Sequence, residues 1–179
     1  MEPISPARIW FFRFCYAGVA LLILFAQLLP LDTAPRSWAA PDVLMCLTMA
    51  WCVRWPAYAP VWLVALVALI ADLLLQRPPG LMALLIVAGS EYLRYRATGP
   101  NQSGAVIEWM SAALVMGAIF IVYRLVLGML GVGQAQVGLM LTQILGTILV
   151  YPLVALLCRV ALGDPAPVAS ETERKASRI

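Results

Sequence analysis

The stretch LIADLLLQRPPGLMALL, residues 69–85, sets Asp72 and Arg77 between two runs that otherwise belong in oil. The QRPPG segment is too short and too proline-rich for anything except a tight turn, so the flanking runs form an antiparallel helical hairpin. A charged turn between two apolar helices has two physical readings. It marks an ion or substrate pathway, or it lies at a membrane surface where the chain reverses.

Composition identifies the solvent. Hydrophobic residues make up 63% of the chain and charged residues 12%, with a mean hydropathy of +0.91. An ordinary globular domain is nearer ~25% charged, so this is a polytopic membrane protein. The net charge of +3 is small and dispersed, with no run of Lys and Arg dense enough to grip a phosphate backbone, which sets nucleic-acid binding aside.

Working outward from the hairpin, the apolar runs give six helices, at 10–29, 38–54, 57–75, 80–95, 105–127 and 137–162. The first run is near the ~20 residues that cross a bilayer and exceeds the ~7 to 15 of a signal-peptide core, so it is expected to stay in the mature protein. In the second, Pro41 suits a first helical turn and Asp42 suits the positive helix end. That run is at the ~17-residue lower limit for a span, so it is either tilted or re-entrant. Residues 1–162 form one transmembrane domain, and the charged, small-residue-rich tail from Gly163 to residue 179 is expected to be disordered. Nothing reads as a strand.

The basic residues orient the helices. With six spans and the N-terminus in the cytoplasm, the cytoplasmic side collects Arg8, Arg13, Arg54, Arg94, Arg96, Arg159, Arg174, Lys175 and Arg178, against Arg36, Arg77 and Arg124 outside. Trp10, Trp51, Trp55 and Trp109 fall near the cytoplasmic boundary and Trp38 near the outer one. The expected fold is an all-α integral membrane protein, a compact six-helix bundle with both termini cytoplasmic.

The chain has no histidine, which excludes histidine acid–base chemistry, histidine-ligated haem and most zinc sites. Cys15, Cys46, Cys52 and Cys158 lie singly in apolar runs, with no C-x-x-C pair, and are assigned neither a disulfide nor a metal. No two carboxylates share a helix at a metal-sharing spacing, so no cofactor is expected and the reading is non-enzymatic.

The ionisable residues inside the runs are weighed one by one. Asp72 shares a helical face with Ala65 and Ala68, small residues that let another helix approach, so it faces protein. Its readings are a boundary residue that is solvated or paired with Arg77, a contact to a partner or to Arg124, or an ion site. Glu91 and Arg94 form a same-face pair, Glu108 suits a helix start, and Arg124 can snorkel to headgroups. Small residues recur every fourth position at Gly138, Thr142 and Gly146, and at Ala113 and Gly117, the pattern along which membrane helices meet closely. Gln143 beside that stripe can donate a hydrogen bond across an interface, worth ~0.6 to 2 kcal/mol.

Four segments together carry a family resemblance. They are RSWAAPDVLMCLTMAW from Arg36, ADLLLQRPPGLMALL from Ala71, YRLVL from Tyr123 and YPLV from Tyr151. In this order and spacing, over about residues 8 to 162, the chain resembles the rod shape-determining MreD family. It departs where that family often has glycines before the aspartate of the third helix, since Ala68 and Ala71 stand here. The resemblance implies a non-enzymatic inner-membrane scaffold of the bacterial cell-elongation complex. Its implied partners are MreC, the MreB filament, and a glycosyltransferase with its paired transpeptidase building peptidoglycan, all beside the lipid bilayer. The family has no established catalytic residues to carry over. Asp72, Arg77 and Arg124 are then expected to orient the hairpin or touch a partner. The alternative is a substrate-binding membrane subunit of a vitamin or metabolite transporter, which would gather several polar groups in one pocket.

Overall fold

The computed structural model describes residues 6–29, 39–97, 104–133 and 136–163. Six α-helices follow in order: α1 (Pro6–Leu28), α2 (Val43–Arg54), α3 (Val61–Leu74), α4 (Leu81–Ala97), α5 (Ala105–Met129) and α6 (Val137–Leu162), with a 3-10 turn at Pro56–Tyr58 before α3. The described residues contain no strand. By length and composition α1, α5 and α6 are each long and apolar enough to cross a membrane. The expectations for Arg36, Trp38 and the tail beyond Gly163 lie outside the described residues.

The shortest α-helix is at the centre. Nine residues of α2, Leu44 through Cys52, are buried, and α2 packs against α1, α4 and α6. Around it α1 meets α3, α3 meets α4, α4 meets α5, and α5 meets α6. With 1.5 Å per residue α2 is ~18 Å long, well short of a ~30 Å hydrocarbon core. It starts later than the 38–54 run because residues 39–42 are not helical and Asp42 is the N-cap, its Oδ1 accepting from the Met45 amide at 3.0 Å. Pro41 therefore precedes the helix and lies against Gly146 of α6.

Successive helices run in opposite directions and gather into two ends. Arg77 after α3 reaches Asp42 at the start of α2, and the Asp42 amide donates to Thr147 of α6. At the opposite end Phe12 of α1 stacks on Tyr58, Arg94 of α4 donates to the Ala59 carbonyl, and Arg54 of α2 meets Glu108 of α5. These are called the Asp42 end and the Arg54 end. Arg8, Arg13, Arg54, Arg94, Arg96 and Arg159 lie toward the Arg54 end, while Arg77 and Arg124 lie toward the other. Outward faces of the long helices are apolar: Phe14, Leu114 and Val160 are all exposed. This arrangement suits hydrocarbon as the solvent.

Two local features explain how apolar helices meet. At Gly89 of α4 an added Cβ would come within 2.8 Å of Ile119 and Val115 and 3.3 Å of Met49, so α2, α4 and α5 converge on a residue without a side chain. In α6 the helix continues through Pro152, which supplies no N–H for the carbonyl of Ile148 four residues before it. The Trp109 indole of α5 donates to that carbonyl at 2.9 Å. A neighbouring helix thus satisfies the group that proline leaves over.

Candidate functional site

The turn between α3 and α4 is built by backbone hydrogen bonds before any side chain acts. The Gln76 amide bonds to the Leu73 carbonyl at 3.3 Å and the Arg77 amide to the Asp72 carbonyl at 2.9 Å. This is the paired-bond helix stop, with Gln76 at the left-handed position (φ +54) that glycine usually fills. The same stop ends α5, where Gly131 (φ +67) bonds to Gly128 and Val132 to Leu127. The α3 stop throws the chain back at once, and Gly80 (φ +88) leads into α4.

That reversal brings the Asp72 carboxylate under the start of α4. Its Oδ2 accepts from the amides of Gly80 and Ala83, each at 3.0 Å. Asp72 is 1% exposed. The first amides of a helix have no partner within it, and an N-capping side chain from the same helix normally serves them. Here α4 takes its cap from α3. The hairpin is closed by a charge-assisted contact to the positive end of the α4 dipole.

Arg77 then ties the turn to the centre of the bundle. Its Nη1 lies 3.5 Å from Asp42 Oδ2, while Oδ1 of the same carboxylate caps α2. The Asp42 amide donates to the Thr147 hydroxyl at 3.0 Å, and Thr147 donates in turn to the Gln143 carbonyl. The Asp42 end therefore joins α2, α3, α4 and α6 through two carboxylates, one guanidinium and one hydroxyl.

The hairpin charges do not simply pair with each other: Arg77 reaches Asp42, and Asp72 serves the α4 backbone. Arg124 lines an open groove between α5 and α6 with Ile121, Leu125, Gly128, Met129 and Met140. A second open groove, between α4 and α5, is almost wholly apolar. Of the small-residue positions, Gly146 lies against Pro41, whereas Gly117 and Gly138 have open space above them. Ala113 and Gln143 are half-buried, and Thr142 is exposed with its hydroxyl accepting from the Ala39 amide at 3.3 Å.

Sequence reasoning missed the cluster at the Arg54 end. Glu108 accepts from Arg54 Nε at 3.0 Å and Nη2 at 3.3 Å, and the Tyr151 hydroxyl donates to the same carboxylate at 3.1 Å. This ties α2, α5 and α6. Pro152 signalled only the separate contact of Trp109 to the Ile148 carbonyl, since a proline inside an apolar helix leaves a carbonyl for a neighbour to serve. No spacing pointed to the carboxylate cluster itself. Beside this cluster Glu91 and Arg94 form a same-face pair at 3.2 Å. All four cysteines are free thiols. Among the described residues no three metal-ligating side chains converge.

Arg54, Asp72, Arg77 and Glu108 thus join one helix to another, while Asp42 also caps its own helix, Thr147 also bonds within α6 and Glu91 pairs with Arg94 within α4. Each carboxylate discussed meets backbone amides, a guanidinium or a hydroxyl of the same chain. Comparison with family models, curated proteins and solved structures finds no match to this chain.

Proposed function

We propose that this protein is a non-enzymatic scaffold of the bacterial inner membrane, spanning it six times with both termini in the cytoplasm. In this reading it serves the cell-elongation complex as MreD-family proteins do, with MreC as its nearest partner. MreB and the glycosyltransferase–transpeptidase pair are reached directly or through that partner.

The observation that carries the reading is how the interior charges are used. Asp42, Asp72, Arg77, Arg54 and Glu108 bind helix to helix. A scaffold needs fixed relative helix positions, and charges engaged in this way supply them. The topology is supported by the separation of basic residues between the two ends and by the antiparallel order of the helices. Helices as short as α2 and α3 fit a membrane bundle when protein or a locally thinned bilayer surrounds their ends.

Depletion of the protein in its native bacterium, with a tagged copy pulled down from the membrane, tests this. Rounded or widened cells together with recovery of elongation-complex proteins are expected. Unchanged cell width with a transport ATPase in the eluate would overturn the scaffold in favour of a transport subunit.

A further inference from the structure

The seam between α1 and α3 carries a cation that no carboxylate among the described residues faces. Arg13 lies two turns into α1, ~10 Å along the axis from Pro6. Its guanidinium carbon is 5.2 Å from the ring centre of Trp10 and 5.9 Å from that of Trp62 on α3. Arg13 Nε is buried from solvent and has no hydrogen-bond partner among the described residues. Along α1 and α3 the sole acidic residue is Asp72, which is engaged with α4 at the opposite end. The other charge on α1 is Arg8, over Phe12, which adds to the positive potential.

The surroundings of this cation are apolar and open. Trp10 is 49% exposed and Trp62 54% exposed, and Phe14 and Leu66 are exposed beside them. Tryptophan and arginine together are the residues that settle at the depth of lipid headgroups. A guanidinium there requires an anion, and no carboxylate of α1 or α3 is within reach to provide it.

We propose that Trp10, Arg13 and Trp62 form a binding site for an anionic phospholipid in the leaflet at the Arg54 end. Arg13 donates to the headgroup phosphate, the two indoles hold its guanidinium plane, and an acyl chain lies over Phe14 and Leu66. The site requires that the chain reside in a membrane, and it is independent of the scaffold reading.

The test uses the purified full-length chain, delipidated in neutral detergent. Phosphatidylglycerol and phosphatidylcholine with identical acyl chains are titrated in, and bound lipid is counted by native mass spectrometry. Phosphatidylglycerol is expected to bind about fivefold more tightly, the preference expected of one basic side chain at an anionic surface. Arg13→Gln should remove that preference and Arg8→Gln should retain it. Arg13→Gln breaks no hydrogen bond within the described residues, and thermal unfolding checks its fold. Trp62→Leu, on the other helix, should weaken phosphatidylglycerol binding with Arg13 intact. Inorganic phosphate should not displace the lipid. Equal binding of the two lipids, a preference that survives Arg13→Gln, or displacement by millimolar phosphate would each overturn the site.

Discussion

Both carboxylates at the Asp42 end accept from amides at helix starts, whereas at the Arg54 end Glu108 accepts from the side chains of Arg54 and Tyr151. Carboxylate burial differs in the same direction. Asp42 and Asp72 are 6% and 1% exposed, against 20% for the Glu108 side chain, whereas the guanidiniums run the other way, 27% for Arg77 and 18% for Arg54. Amides at a helix start are fixed by the helix itself, so the Asp72 carboxylate of α3 placed on those of α4 fixes where two helices stand. Asp42 caps its own helix and reaches the α3–α4 turn through Arg77. The Arg54–Glu108 pair rests on part-exposed, flexible side chains, so it can follow a small shift and water can replace part of its interaction, while the buried Tyr151 hydroxyl keeps its contact. The Asp42 end therefore sets the geometry, and the Arg54 end accommodates it.

The largest test of this contrast is Asp72→Ala. It leaves the amides of Gly80 and Ala83 without an acceptor and should cost about 2 to 4 kcal/mol, read as a lowered unfolding midpoint in detergent. Asp72→Asn retains a carbonyl oxygen and should cost less than half of that. At the Arg54 end, Trp109→Phe should cost about 1 to 2 kcal/mol because the Ile148 carbonyl loses its donor. The loss should shrink by about 1 kcal/mol in a Pro152→Ala background, where an amide N–H at residue 152 can serve that carbonyl. A double-mutant cycle by thermal unfolding measures that coupling.

Glu108→Gln keeps one acceptor and removes the charge, so its expected cost is about 1 kcal/mol or less, and it should be reduced further by salt. The smallest effect is of opposite sign. Gln76→Gly should stabilise the protein by somewhat under ~1 kcal/mol, because the left-handed position is strained for glutamine and not for glycine. Its counterpart Gly131→Gln, at the matching position after α5, should destabilise by a similar amount.

What could be seen in the sequence was local. The QRPPG turn, the Glu91–Arg94 spacing and the placing of Asp42 by a positive helix end all depend on residues within a few positions of each other. The role of Asp42 as N-cap, with Pro41 outside the helix, was not among them. The partners that define the two ends are far apart in the chain, as with Asp42 and Arg77 or Arg54 and Glu108, and no spacing rule reaches across separate helices. The small-residue stripes show a second limit. When apolar residues surround a whole helix, periodicity no longer marks the inward face. The sequence pattern drew attention to Gly117 and Gly138, while among the described glycines the most crowded is Gly89, which belongs to no such repeat.

Amide hydrogen exchange at Gly80 and Ala83 measures the cap from α3 to α4 most directly. In the full-length chain in detergent both amides should exchange slowly, and Asp72→Ala should accelerate them at least about tenfold, while Glu108→Gln should leave them unchanged. Fast exchange in the unaltered protein, or acceleration of these two amides by Glu108→Gln as large as that by Asp72→Ala, would contradict the view that the Asp42 end sets the geometry of the bundle.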